Sequence, residues 1–69
     1  MNAPNETLKT ERIKRLPWVI STTGLKRTTL WRKEKEGTFP KRIKLSENAV
    51  GWKESEILSW IDSLQTVEE

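Results

Sequence analysis

Between Lys26 and Asn48 the chain sets its cationic and hydrogen-bonding side chains in two clusters: Lys26, Arg27, Thr28, Thr29, Arg32 and Lys33, then Lys41, Arg42, Lys44, Ser46 and Asn48. Side chains of these types, grouped in this way, suit the recognition of an anion. An arginine fork can meet guanine O6 and N7 together, at about 1–3 kcal/mol of discrimination per good pair. Threonine admits close approach and can reach a phosphate, a base edge or a thymine methyl. Lys26, Lys33 and Lys35 suit phosphate anchoring, and Arg32 also has an ordinary i,i+4 partner in Glu36. Catalysis has little to work with. The chain has no His and no Cys, so acid–base or nucleophilic steps would fall to carboxylates, lysines or hydroxyls. Neither GxxxxGK[ST] nor GxGxxG occurs. The expectation is a binding protein, not an enzyme, with no cofactor and no metal.

Charge placement supports anion binding. The net charge is only +3, yet all 13 Lys and Arg lie between Lys9 and Lys53, and residues 1–53 carry +8 against −5 for residues 54–69. A basic body and an acidic end imply one surface turned toward an anion and another turned away. At 69 residues the chain is one domain at most. Its core is marginal for that size, and four Trp can substitute for the disulfides it lacks. No apolar run approaches the length of a membrane span, and residues 1–10 lack the apolar centre of a signal peptide. A soluble cytoplasmic protein with no membrane partner is expected.

The clusters need elements to position them. Residues 1–10 read as a flexible tail, and Arg12–Leu16 as a short strand or extended lead-in. A first helix is predicted from Pro17 to the residue before Gly24, with Leu16, Val19, Ile20 and Leu25 inward and Trp18 at the side. A second helix is predicted over Arg27–Glu36, stopped by Gly37, with Leu30 inward and Trp31 at the edge. Phe39-Pro40 forces extended chain. Ile43 and Leu45 alternate with Arg42, Lys44 and Ser46, which predicts a strand with the apolar pair inward and the cations outward. Glu47-Asn48 reads as the tip of a hairpin, and Val50 and Trp52 share a face of the return strand. Ile57, Trp60, Ile61 and Leu64 form the stripe of a last helix, with Glu54 and Glu56 in its first turn. The sum is a small α+β winged helix-turn-helix: three helices and a two-stranded β-hairpin wing, occupying 11–65 and followed by a C-terminal tail at 66–69. Its recognition helix would enter the major groove of duplex DNA, and its basic wing would lie on backbone or minor groove.

Three segments resemble one family. These are Gly24-Leu25-Lys26-Arg27-Thr28-Thr29-Leu30-Trp31-Arg32, Gly37-Thr38-Phe39-Pro40 and Val50-Gly51-Trp52, with Ser55-Glu56-Ile57 and Trp60-Ile61 following. In that order they are similar to the AlpA family of phage and prophage regulators, related to excisionases and to the MerR-type winged helix. The resemblance covers residues 13–64. It implies a DNA-binding transcriptional regulator in an integrated mobile element of a bacterium, acting on integrase or excision genes. It implies a recognition helix carrying Arg27, Thr28, Thr29 and Arg32, and a wing over 41–48. An excisionase-type factor that bends attachment-site DNA is the alternative role. A protein-interaction inhibitor anchored by exposed Trp18 and Trp31 is a more distant one. Duplex DNA is the expected partner; further copies on adjacent sites, integrase and RNA polymerase are the protein partners such a role admits. Two residues depart from the family pattern. Lys26 replaces a capping Ser, and Glu34 replaces an inward apolar residue, which implies an uncapped and frayed or shortened second helix.

Overall fold

The computed structural model describes residues 11–67. The expectations of a flexible tail at 1–10 and of a tail reaching 68–69 fall, wholly or in part, outside these residues. The elements run β1 (Ile13–Lys14), α1 (Leu16–Thr23), α2 (Arg27–Glu36), β2 (Ile43–Ser46), β3 (Ala49–Lys53) and α3 (Glu54–Asp62). The strands form one antiparallel sheet in the order β1-β3-β2. The Arg12–Leu16 lead-in therefore contributes a third strand beside the hairpin, with Ile13 opposite Lys53 and Lys14 opposite Trp52.

Val19, Leu30, Phe39, Trp52 and Ile57 are buried and come from α1, α2, the loop after α2, β3 and α3, so one core ties every layer together. Leu16, Trp18, Ile20, Leu25, Trp31, Trp60 and Ile61 close around it. The indoles also act as donors. Trp52 Nε1–H bonds the Pro40 carbonyl at 3.1 Å and Trp60 Nε1–H bonds the Thr38 carbonyl at 2.7 Å. Trp31 stacks on Trp52 with centroids 6.0 Å apart, and Phe39 meets Trp60 edge-on at 4.8 Å. Each polar handle is satisfied while its ring fills the core, which is how a small domain can use tryptophan without a buried-polar penalty.

The inward and outward faces of β2 are opposite to the predicted ones. Lys44 pairs with Val50 and Ile43 with Gly51. Directly paired residues share a side of the sheet, so Lys44 stands on the face of Val50 and Trp52, and Ile43 on the other. Leu45, expected inward, is 42% exposed, and a register irregularity between Lys44 and Ser46 marks its position. Alternation along β2 has the right period but leaves the side open. Trp52, by far the larger group, takes the helix-facing side and its partners inherit theirs.

Gly51 shows how closely the strands pack on the opposite face. A Cβ there would lie 2.7 Å from Ile13 Cγ2, 3.0 Å from the Lys14 carbonyl oxygen and 3.2 Å from Leu45 Cδ1. At the other end of the domain, α3 stops at Asp62 and not at Leu64. The Ser63 hydroxyl bonds the Trp60 carbonyl, and Leu64 is 55% exposed beyond the helix. No residue of α3 caps its own N-terminus. Glu11 does so from 44 positions away, accepting from the Ser55 backbone N–H at 3.1 Å and the Ser55 hydroxyl at 2.7 Å. Those bonds, side chain first, hold the Glu11 carboxyl below the usual glutamate range, with Lys53 adding to the effect.

Candidate nucleic-acid interface

The corner between α1 and α2 is built from three local bonds. Gly24 takes φ 78, open to glycine at no steric cost, and its N–H bonds the Ile20 carbonyl at 2.8 Å. The Thr23 hydroxyl donates to the Val19 carbonyl at 2.8 Å and accepts from the Leu25 N–H at 3.2 Å. Leu25 then packs against the core between the helices. This sets the first turn of α2 clear of α1, and Lys26, Arg27 and Thr28 are all exposed there. Lys26 stands at the N-cap in extended geometry with no side-chain cap bond, as its residue type implies.

Along α2, Leu30 is fully buried, so Thr28, Arg32 and Lys35, at i, i+4 and i+7, run down the opposite face. Arg32 is largely exposed and lies 3.9 Å from Glu36. Thr29 is half-buried. Lys33 is half-buried too, one turn beyond Leu30 on the inner side, and its carbonyl accepts from Thr38 N–H. Lys35, expected as a phosphate anchor though outside the recognition-helix cluster, is better placed: with Glu34, Lys41 and Arg42 it lines a hollow where α2 meets the lead-in to β2. Its nearness to the wing could not be read without knowing which side of α2 the wing crosses.

Glu34 does not shorten α2. The helix runs to Glu36 and ends in an αL glycine, Gly37, with φ 84. The Glu34 side chain is only 13% exposed, and it reaches Arg42 twice. One carboxylate oxygen accepts the Arg42 backbone N–H at 2.6 Å, and the other takes the guanidinium Nη1. The guanidinium also lies 4.4 Å from the centroid of Trp31. Where the family resemblance implied an inward apolar residue, this chain has one half of an ion pair whose partner comes from the wing. Arg42, expected to project outward, is turned back on α2.

The rest of the wing is open. Lys41, Lys44, Ser46 and Asn48 are exposed, and Glu47-Asn48 form the turn. The structure therefore brings Lys35, Lys41 and Arg42 together, and leaves Arg27, Thr28 and Arg32 along α2 and Lys44 to Asn48 along the hairpin. Trp18 and Trp31 are half-buried, each lying beside a cation, Lys14 at 5.1 Å and Arg42 respectively. Neither is the open anchor that a tryptophan-centred interface needs. Among the described residues no cluster of three or more acidic side chains is set to hold a metal, and no helix is long and apolar enough to cross a membrane.

A family profile described as prophage CP4-57 regulatory protein (AlpA) matches residues 12–66, from the residue before β1 to beyond α3. The chain belongs to the AlpA family. It is similar to the DNA-binding transcriptional activator AlpA of Escherichia coli strain K12, 45% identical over 56 residues that cover 72% of this chain and 80% of that protein. It is also similar to an uncharacterised protein, ORF88, of enterobacteria phage P4, 33% identical over 58 residues covering 84% of this chain and 66% of the relative. No solved structure matches. The AlpA-like segments have structural reasons in this fold. Gly37 ends α2, Phe39 fills the core, and the carbonyls of Thr38 and Pro40 are held by Trp60 and Trp52. Gly51 lies where β1 crosses β3 too closely for a side chain.

Proposed function

We propose that this protein is a sequence-specific duplex-DNA-binding transcriptional regulator of a prophage or integrated mobile element, acting in the bacterial cytoplasm. Arg27, Thr28, Thr29 and Arg32 read base edges from the first turns of α2, and Lys26 anchors a phosphate beside them. Lys41, Lys44, Ser46 and Asn48 hold the backbone or the minor groove from the wing. The observation that carries this reading is the exposed, cation-bearing start of α2, set at a glycine corner and joined at its far end to a cationic wing. The name of the Escherichia coli relative supports it. Phosphate contacts supply most of the affinity, so binding weakens steeply with salt. A few base contacts per copy are little for finding one genomic site, and further copies at adjacent sites supply the remainder.

Selection of duplexes from a random pool tests the reading. Arg27→Ala should lose preference at defined base positions, whereas Lys41→Ala should weaken all sequences evenly and lower the salt slope by about 1. Identical profiles for the two variants, or binding indifferent to salt, would remove it. Salt-resistant association with a protein would favour the interaction-module alternative. Bending of attachment-site fragments without an effect on a promoter reporter would assign the excisionase role instead.

A further inference from the structure

The Glu34–Arg42 contact spends one cation and adds an anion at the junction of helix and wing. Both of its bonds are made to one residue, and one of them fixes backbone: the Arg42 N–H, immediately before β2, is held at 2.6 Å. The guanidinium is then bracketed between the Glu34 carboxylate and the Trp31 ring, and Trp31 itself stacks on Trp52 of β3. The path α2–Arg42–Trp31–Trp52 therefore returns to the sheet that carries the wing. From the other side, Pro40, two residues before Arg42, is pinned by the Trp52 indole.

We infer that Glu34 and Arg42 form a clamp that sets the angle of the wing against α2. Arg42 is then a positioning residue and not a phosphate contact. The inference rests on the DNA-binding reading and names what tunes that site. The neighbours of the clamp divide the work: among the described residues neither Lys35 nor Lys41 has a carboxylate within ion-pair distance, so they are the cations of the hollow left to meet the backbone. Without the clamp, β2 keeps its pairing with β3 and, through Trp52, the stack on Trp31, but the chain entering β2 loses its direct bonds to α2, and the wing can shift relative to bases read by α2. Simultaneous contact then costs ordering entropy at binding.

The sign of one substitution separates the clamp from simple electrostatics. Glu34→Gln removes a negative charge from a face that binds a polyanion. Electrostatics alone makes that variant bind more tightly; the clamp makes it bind about tenfold more weakly, the scale of one charge-assisted hydrogen bond. Arg42→Gln should weaken binding to a similar degree with the salt slope unchanged, whereas Lys41→Gln lowers the slope by about 1. The double variant Glu34→Gln/Arg42→Gln should be no worse than the weaker single one. Amide hydrogen exchange on the free protein supplies a readout without DNA: both single variants should speed exchange at Ile43–Ser46 while Val19 and Leu30 stay protected. Tighter binding by Glu34→Gln, or a slope lost with Arg42→Gln, would overturn the clamp. Loss of all salt dependence in the unaltered protein would instead overturn the DNA-binding reading, with the exchange result still deciding the clamp.

Discussion

Replacing Gly51 with alanine exchanges one hydrogen for a methyl group, yet the structure gives that carbon no room. Its position is 2.7 Å from Ile13 Cγ2, 3.0 Å from the Lys14 carbonyl and 3.2 Å from Leu45 Cδ1. The three contacts differ in what can yield. Ile13 and Leu45 are 40% and 42% exposed and can turn aside at modest cost. The Lys14 carbonyl is backbone and moves only if β1 moves, and β1 pairs with β3 through two residues alone. Such overpacking costs about 1–3 kcal/mol. Alanine returns about 0.4–1 kcal/mol through the unfolded chain, since Gly51 does not need a left-handed backbone. The net expectation for Gly51→Ala is a loss of roughly 1–2 kcal/mol. In a domain of this size that lowers the melting temperature by roughly 5–15 °C. Ile13→Ala removes the nearest of the three contacts, so the double variant should be more stable than additivity allows by about 0.5–1 kcal/mol. Thermal unfolding followed by circular dichroism measures all four corners of the cycle. A Gly51→Ala protein that melts with the parent, or a cycle with no coupling, would refute the close-approach argument.

The cap on α3 and the missing cap on α2 give two further expectations. Because hydrogen bonds from Ser55 depress the Glu11 carboxyl below its ordinary value of 4.5, its contribution to stability is fully present above that pH. It fades as pH falls through the lowered folded-state value. Glu11→Gln should therefore be less stable than the parent near neutrality and converge with it in acid, as urea titrations at stepped pH would record. Lys26→Ser should add about 0.5–1 kcal/mol by giving the N–H groups of Thr28 or Thr29 an acceptor. The same change should lower the salt slope for duplex binding by about 1, because a phosphate anchor is lost.

The helices were legible because their end signals are local. Gly24 and Gly37 close α1 and α2, and the acidic first turn marks the start of α3. The stripe over Ile57, Trp60 and Ile61 was readable for the same reason, but it ran on to Leu64 because periodicity ignores where carbonyls find donors. Ser63 ends the helix through its own hydroxyl and backbone. The facing of β2 was not legible, since Ile43-Lys44-Leu45 has one period and two possible sides, and Trp52 decides between them from across the hairpin. Glu34 was visible as a departure from the family pattern, but its meaning depended on Arg42, eight residues away. The site set was readable as residue types. The hollow of Lys35, Lys41 and Arg42 was not, because it depends on where the loop after Gly37 crosses α2.

Glu11 and Ser55 also bear on how the domain is made. Synthesis runs from the N-terminus, so β1 leaves the ribosome some forty residues before Lys53, its partner in the sheet, exists. Two helices and their glycine corner are synthesised during that interval, ahead of the strand and last helix they pack against. The first strand has nothing to pair with until Trp52 and Lys53 have been made. Closure of the domain thus waits on β3 and α3, and a nascent chain halted short of Ala49 would lack both the strand that β1 pairs with and the Trp52 on which its first two helices pack.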